Sequence, residues 1–220
     1  MLAFELTNNI IPQLQLSDTV SKALQLMSDF KITHLPVVSD EKYLGLISED
    51  DLLDEDDKKI AIEYFQEDFL PASINSNKHF LQAVDISNLY QTNVIPVTNE
   101  QNDLVGTISG QSLITALGNF AGAIETGAMI ELQMERTKFN ISELNRIVES
   151  DGALILHLNI SAVPETLFVK VTIHINKREI STLIAAFERY DYSITYYSGE
   201  ELFENDIDNN YRHLMNYLDI

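Results

Sequence analysis

The sequence predicts an α+β protein in which a βαββα unit occurs twice and a βαββαβ unit follows. Three observations carry that reading. His34-Leu35-Pro36-Val37-Val38 returns as Val94-Ile95-Pro96-Val97-Thr98, and Leu44-Gly45-Leu46-Ile47-Ser48 returns as Val105-Gly106-Thr107-Ile108-Ser109. Pro36 and Pro96 stand 60 positions apart and Gly45 and Gly106 stand 61 apart, so the order holds with one residue added in the turn between. Such self-similarity is the mark of a duplicated architecture. Beyond Phe120 the repeat stops, and period-2 segments alternate with two amphipathic helical ones.

In the first copy, Ser17 or Asp18 caps a helix whose inner face is Val20, Ala23, Leu24, Met27 and Phe30. Thr33 to Val38 follows as a β-branched strand, Ser39 to Lys42 as a polar turn, Tyr43 to Ser48 as a second strand, and Glu49 to Leu53 as the start of a helix. The second copy repeats this with Phe80, Ala83, Val84, Ile86 and Leu89 on the helix. Strands from Val94 to Thr98 and from Leu104 to Ser109 come next, and a further helix follows them. Ile11-Pro12 and Leu70-Pro71 precede the two copies in matching places.

The last part reads in the same way. Gly122 to Gly127 is a small-residue hinge, and Ala128 to Glu135 alternates as a strand. Ile141, Leu144, Ile147 and Val148 have helical spacing, with Asn140 or Ser142 at the start and Gly152 past the end. Leu154 to Ser161 and Leu167 to Ile175 form a hairpin through Val163-Pro164-Glu165. Ile180, Leu183, Ile184, Phe187 and Tyr190 mark a helix, and Ser193 to Tyr197 a strand. The order βαββαβ is that of a ferredoxin-like split unit. Tyr211, Leu214, Met215 and Leu218 add a C-terminal helix. The expected domains are therefore residues 1–66, 67–122 and 127–200, with a tail helix over 201–220.

Composition narrows the function. A length of 220 residues suffices for two modest cores. There is no cysteine, hence neither a disulfide framework nor a thiol nucleophile. The first eight residues lack a secretory pattern, and no run reaches the ~20 apolar residues of a membrane span, so a cytoplasmic location is expected. The net charge of −20 repels phosphodiester backbones and anionic headgroups, which argues against nucleic acid or a membrane as a partner. The first arginine is Arg136, so the repeats lack the best bidentate phosphate ligand.

The duplicated βαββα unit resembles the paired CBS (cystathionine β-synthase) domain, or Bateman module. The resemblance rests on the x-Pro-Val strand and on the Gly-x-x-Ser ending of the next strand. It implies a non-catalytic regulatory sensor with no required cofactor. The cleft between its repeats would take an adenosine-containing or similar small molecule such as AMP, ADP, ATP or S-adenosylmethionine. In the family the second strand ends in Gly-x-x-Ser/Thr-x-x-Asp, with the hydroxyl toward phosphate and the Asp toward ribose. That pattern falls on Gly45, Ser48 and Asp51 in the first copy, and on Gly106, Ser109 and Ser112 in the second. By the same resemblance Thr19, His34, Leu35, Pro36, Ile95 and Pro96 line the cleft. Ser48 reads equally as a plain helix cap, and for Ser109 the cap is the favoured reading. Glu49 and Asp50 place two carboxylates where relatives often carry a basic residue.

A CBS pair followed by a βαββαβ unit resembles bacterial acetoin-utilisation proteins of the AcuB type, whose last domain is ACT-like. The Asp-x-Pro-Gly pattern of amino-acid-binding ACT domains is missing from Arg136 to Leu144. The resemblance implies a homodimer whose geometry follows ligand occupancy, with a protein as its target. The alternative is a ligand-independent dimerisation scaffold with a vestigial cleft. No catalytic motif is present, and no enzyme is expected. No metal site is expected either. The acidic run Asp50 to Asp57 lacks the ligand alternation of an EF-hand loop. His157 and His174 face each other if the hairpin turn centres between Glu165 and Thr166, but no third ligand is visible.

Overall fold

A computed structural model of the chain describes residues 1–199 and divides into two compact units, Met1–Leu117 and Gly118–Ile220. The tail helix expected from Tyr211 to Leu218 lies outside the described residues.

The first unit opens with a short helix, α1 (Ala3–Leu6). The first repeat then runs β1 (Leu14–Gln15), α2 (Val20–Phe30), β2 (His34–Ser39), β3 (Lys42–Ser48) and α3 (Glu49–Leu53). The second runs β4 (Ile74–Asn75), α4 (Leu81–Leu89), β5 (Val94–Thr98), β6 (Leu104–Ser109) and α5 (Gly110–Phe120). Both have the βαββα order read from the sequence, and each forms a three-stranded sheet. In both sheets the short first strand lies parallel to the middle strand, and the third lies antiparallel to it. A proline in a middle strand is ordinarily disfavoured because it cannot donate to the ladder. Here β1 reaches only Val37 and Val38, and β4 only Val97 and Thr98, so Pro36 and Pro96 lie beyond the short partner.

The cap of α2 is Thr19, not Ser17 or Asp18. The Thr19 hydroxyl accepts from the Lys22 amide at 3.3 Å. Asp18 turns back to accept from the Gln15 amide at 2.9 Å and pairs with Lys22 at 2.7 Å. Two apolar residues assigned to inner helix faces lie outside: Phe30 is 40% exposed and Leu89 71%.

The segments leading into the repeats are exchanged. Asn8 and Thr107 of β6 exchange two backbone hydrogen bonds of 2.9 Å each, and Ala3 sits in the second repeat's core. In mirrored fashion Leu70 and Leu46 of β3 exchange two, at 2.8 and 2.9 Å, while Ile62, Phe65 and Phe69 pack into the first repeat's core. The repeated glycines allow these crossings. A Cβ on Gly45 would stand 2.6 Å from Phe69 Cβ, and one on Gly106 2.6 Å from Asn9 Oδ1.

The second unit contains β7 (Ala128–Glu135), α6 (Ile141–Ser150), β8 (Ile155–Ala162), β9 (Phe168–Ile175), α7 (Ser181–Arg189) and β10 (Ser193–Ser198). Its sheet has the order β10-β7-β9-β8, antiparallel throughout, which is the ferredoxin-like split arrangement. Ile130, Leu132, Val171 and Ile173 on one face pack with Leu144, Ile147, Leu183 and Phe187 of the helices. On the other face Lys170 and Thr195 donate to the Glu131 carboxylate at 2.9 and 2.6 Å. Those bonds, that of Thr195 foremost, hold its carboxyl below the usual range. Asn140 caps α6, accepting from the Ser142 amide at 3.1 Å.

Candidate functional site

The paired motif residues form two similar turns. β3 ends at Ser48, and the chain enters α3 at once. Ser48 Oγ accepts from the Asp51 amide at 3.1 Å and donates to Asp51 Oδ2 at 2.5 Å. At the end of β6, Ser109 Oγ accepts from the Ser112 amide at 3.1 Å and lies 2.9 Å from Ser112 Oγ. Both serines are therefore caps in this structure, which is one of the two roles open at the level of sequence. The chemistry of the copies differs at the third position. Asp51 is exposed and presents a carboxylate at this turn, whereas Ser112 is half-buried and presents a hydroxyl.

His34 joins the first site. It is the register partner of Ser48 across β2 and β3 and is 7% exposed. Its Nδ1 lies 2.8 Å from the Thr33 hydroxyl. Burial lowers its pKa, and the nearby charges of Asp51 and Asp50 oppose that only in part. The second copy has Val94 here, register partner of Ser109 and wholly buried. An imidazole beside a serine and a carboxylate is thus peculiar to the first repeat.

The other predicted residues are placed as follows. Leu35 and Ile95 are wholly buried in the two cores. Pro36 and Pro96 are buried in the middle strands. Gly45 lies beneath Phe69 and Leu70. Thr19 is half-buried at the start of α2, bridged to Ala61.

Asn93 is a residue that sequence reasoning missed. Its Oδ1 accepts from the Thr33 amide at 3.2 Å and its Nδ2 donates to the Lys31 carbonyl at 3.2 Å, tying the starts of β2 and β5 together. The signal was available, because Thr33 and Asn93 occupy equivalent positions 60 apart.

A cavity of about 440 Å³ opens beside this tie, lined by Thr33, Ser87, Asn93, Gly110 and Ile114 among others. None of Ser48, Asp51, Ser109 or Ser112 lines it. In the second unit a cavity of about 510 Å³ is lined by Thr137, Lys138, Asn140, Glu143 and Tyr192. Tyr192 donates to Glu143 at 2.8 Å there, and burial, aided by that carboxylate, pushes its phenol up to about 12.

Electrostatics around Ser48 disfavour polyphosphate. The first turn of α3 carries Glu49, Asp50 and Asp51. The Lys58 ammonium lies nearby but donates to the Leu52 and Leu53 carbonyls at 3.0 Å each.

Residues 5–58 match the family model described as the CBS domain. The match spans the first repeat, so residues 5–58 are similar to a CBS domain. Solved structures similar to it include a CBS domain pair/ACT domain protein from Thermotoga maritima, with 19% identity over 55% of this chain and 98% of that one, at a TM-score of 0.49. A putative acetoin utilisation protein (AcuB) from Vibrio cholerae is similar with 20% identity over 56% of this chain and 95% of that one, at a TM-score of 0.47. CBSX2 in complex with AMP is similar with 18% identity over 54% of this chain and 97% of that one, at a TM-score of 0.45. The CBS match covers β1 to α3 and thus both capping residues, Thr19 and Ser48, together with His34 and Asp51.

Proposed function

We propose that this CBS-domain chain is a non-catalytic regulatory sensor whose first repeat binds an adenosine-containing or similar small molecule beside Ser48 and Asp51. The carrying observation is the Ser48–Asp51 turn: an exposed carboxylate at the rim, suited to a ribose diol, beside a buried imidazole. The second repeat offers Ser112 in its place, so one sugar site per chain is the reading. Thr19, half-buried at the start of α2, belongs to the wall of that cleft in this proposal, whereas Pro36 and Ile95 lie buried behind it. Three carboxylates on α3 favour adenosine or S-adenosylmethionine over ADP and ATP, with AMP between them.

Thermal-shift titration of the full chain with adenosine, AMP, ADP, ATP and S-adenosylmethionine tests this. The expected result is stabilisation by one of the first group, abolished in Asp51→Ala and retained in Ser112→Ala. No shift at millimolar ligand, or an equal shift in Asp51→Ala, sinks it.

A second reading, a ligand-independent dimer scaffold acting on a protein target, has its own observation. Leu53 and Ile114 are equivalent in the two repeats and are 56% and 65% exposed on α3 and α5. A homodimer through these helices would cover both. Light scattering on Leu53→Lys/Ile114→Lys is expected to show monomer where the unmodified chain shows dimer. A monomeric unmodified chain removes this reading. No helix among the described residues is long and apolar enough to cross a membrane. A cytoplasmic setting, an ACT-like role for the second unit and the absence of nucleic-acid binding complete the proposal.

A further inference from the structure

Two histidines of the second unit have no part in the proposed function. His157 on β8 and His174 on β9 are direct register partners. They share the face turned away from the helices, because the next pair in register, Leu158 and Ile173, packs with the helical core. His174 is only 7% exposed, and among the described residues no hydrogen bond engages either imidazole. A buried imidazole without a partner calls for an explanation.

The segment around Gly122 supplies the geometry. Phe120 stands edge-on to the His157 ring, with centroids 6.1 Å apart. At Gly122 a side chain is missing where it would meet both histidines. A Cβ there would lie 3.5 Å from His174 Nδ1 and 3.9 Å from His157 Cβ. The sheet thus presents two histidines in register, and over them Gly122 leaves room for no more than a methyl in ordinary contact.

We propose that His157 and His174 bind a late first-row transition-metal ion, copper(II) most tightly. Opposed residues of an antiparallel pair have Cβ atoms about 4.5–5.5 Å apart, which lets two imidazoles converge on one ion at bonds of roughly 2 Å. Imidazole nitrogen suits copper, nickel and zinc, and affinity for such donors peaks at copper. Among the described residues no third His, Cys, Asp or Glu joins the pair. The remaining coordination positions therefore go to water, and the ion is exchangeable rather than structural. The −20 net charge raises the local concentration of any cation.

The test uses the full chain after chelator treatment, titrated with copper(II) chloride in a non-coordinating buffer at about pH 7.5, where imidazole is free to coordinate. Histidine ring resonances are followed by NMR. One equivalent is expected to broaden His157 and His174 before the other histidines. His157→Asn is expected to weaken binding about tenfold or more, and His79→Asn to leave it unchanged. Uniform broadening of all histidines, no broadening, or undiminished affinity in a folded His157→Asn overturns the proposal. The order of broadening in the unmodified chain decides the matter even if the variant does not fold.

Discussion

At the scale of single residues, His34 and the two capping serines separate structure from function. The folded state disfavours a proton on His34, whereas the unfolded chain accepts one near pH 6.5. The unfolded state then binds more protons below that value, so stability falls as pH drops through it and levels off once the folded form is also protonated. His34→Gln is expected to flatten this part of the stability profile relative to the unmodified chain. Denaturant midpoints measured across that range check it, and superimposable profiles would refute it. For Ser109→Ala, the lost cap is expected to cost about 0.5–2 kcal/mol of stability and leave ligand response intact. Ser48 and Asp51 were singled out by the resemblance to the CBS motif Gly-x-x-Ser-x-x-Asp, and the cap at Ser48 was open to sequence reasoning because serine caps helices readily. His34 entered only as one of the cleft residues the resemblance implies; its burial and its pairing with Ser48 follow from strand register, which joins it to a residue 14 positions away.

At the scale of elements, the glycines make a sharper test. Gly45→Ala drives a methyl into Phe69 Cβ, 2.6 Å away, and is expected to destabilise by about 1–3 kcal/mol, as overpacking does. Gly118→Ala lies on α5 with nothing within 4 Å of the new methyl, and is expected to stabilise by roughly 0.5–1 kcal/mol through helix propensity. Chemical denaturation of both variants checks the opposite signs. Sequence periodicity placed most elements to within a residue or two. β7 is the case in point, because one buried face and one open face enforce strict alternation from Ala128 to Glu135. It failed at Phe30 and Leu89, which continue the apolar spacing of α2 and α4 but are the last residues of those helices and are exposed. Spacing reports which face of a helix a residue occupies and not how far the neighbouring layer extends.

At the scale of the whole molecule, the excess of 34 acidic over 14 basic side chains sets a self-repulsion that salt relieves. The melting temperature is expected to rise between low and physiological ionic strength; a flat or falling trend would show that local ion pairs such as Lys170–Glu131 outweigh it. The duplicated architecture was plain in the sequence because proline and glycine recur in order. The exchange of leaders was not, since Asn8 and Thr107 meet across 99 positions chiefly through two backbone hydrogen bonds, which any pair of residues but proline can make. That exchange means the start of the chain is a component of its distant repeat. Trimming the first nine residues would leave β1 to α3 complete and instead unseat β6, close to a hundred residues downstream. During synthesis Ala3 and Phe4 gain their partners only once Ser76 and Lys78 have emerged, and Asn8 only once Thr107 has. Any change to residues 1–9 is therefore a perturbation of the second repeat, although all of them precede the first.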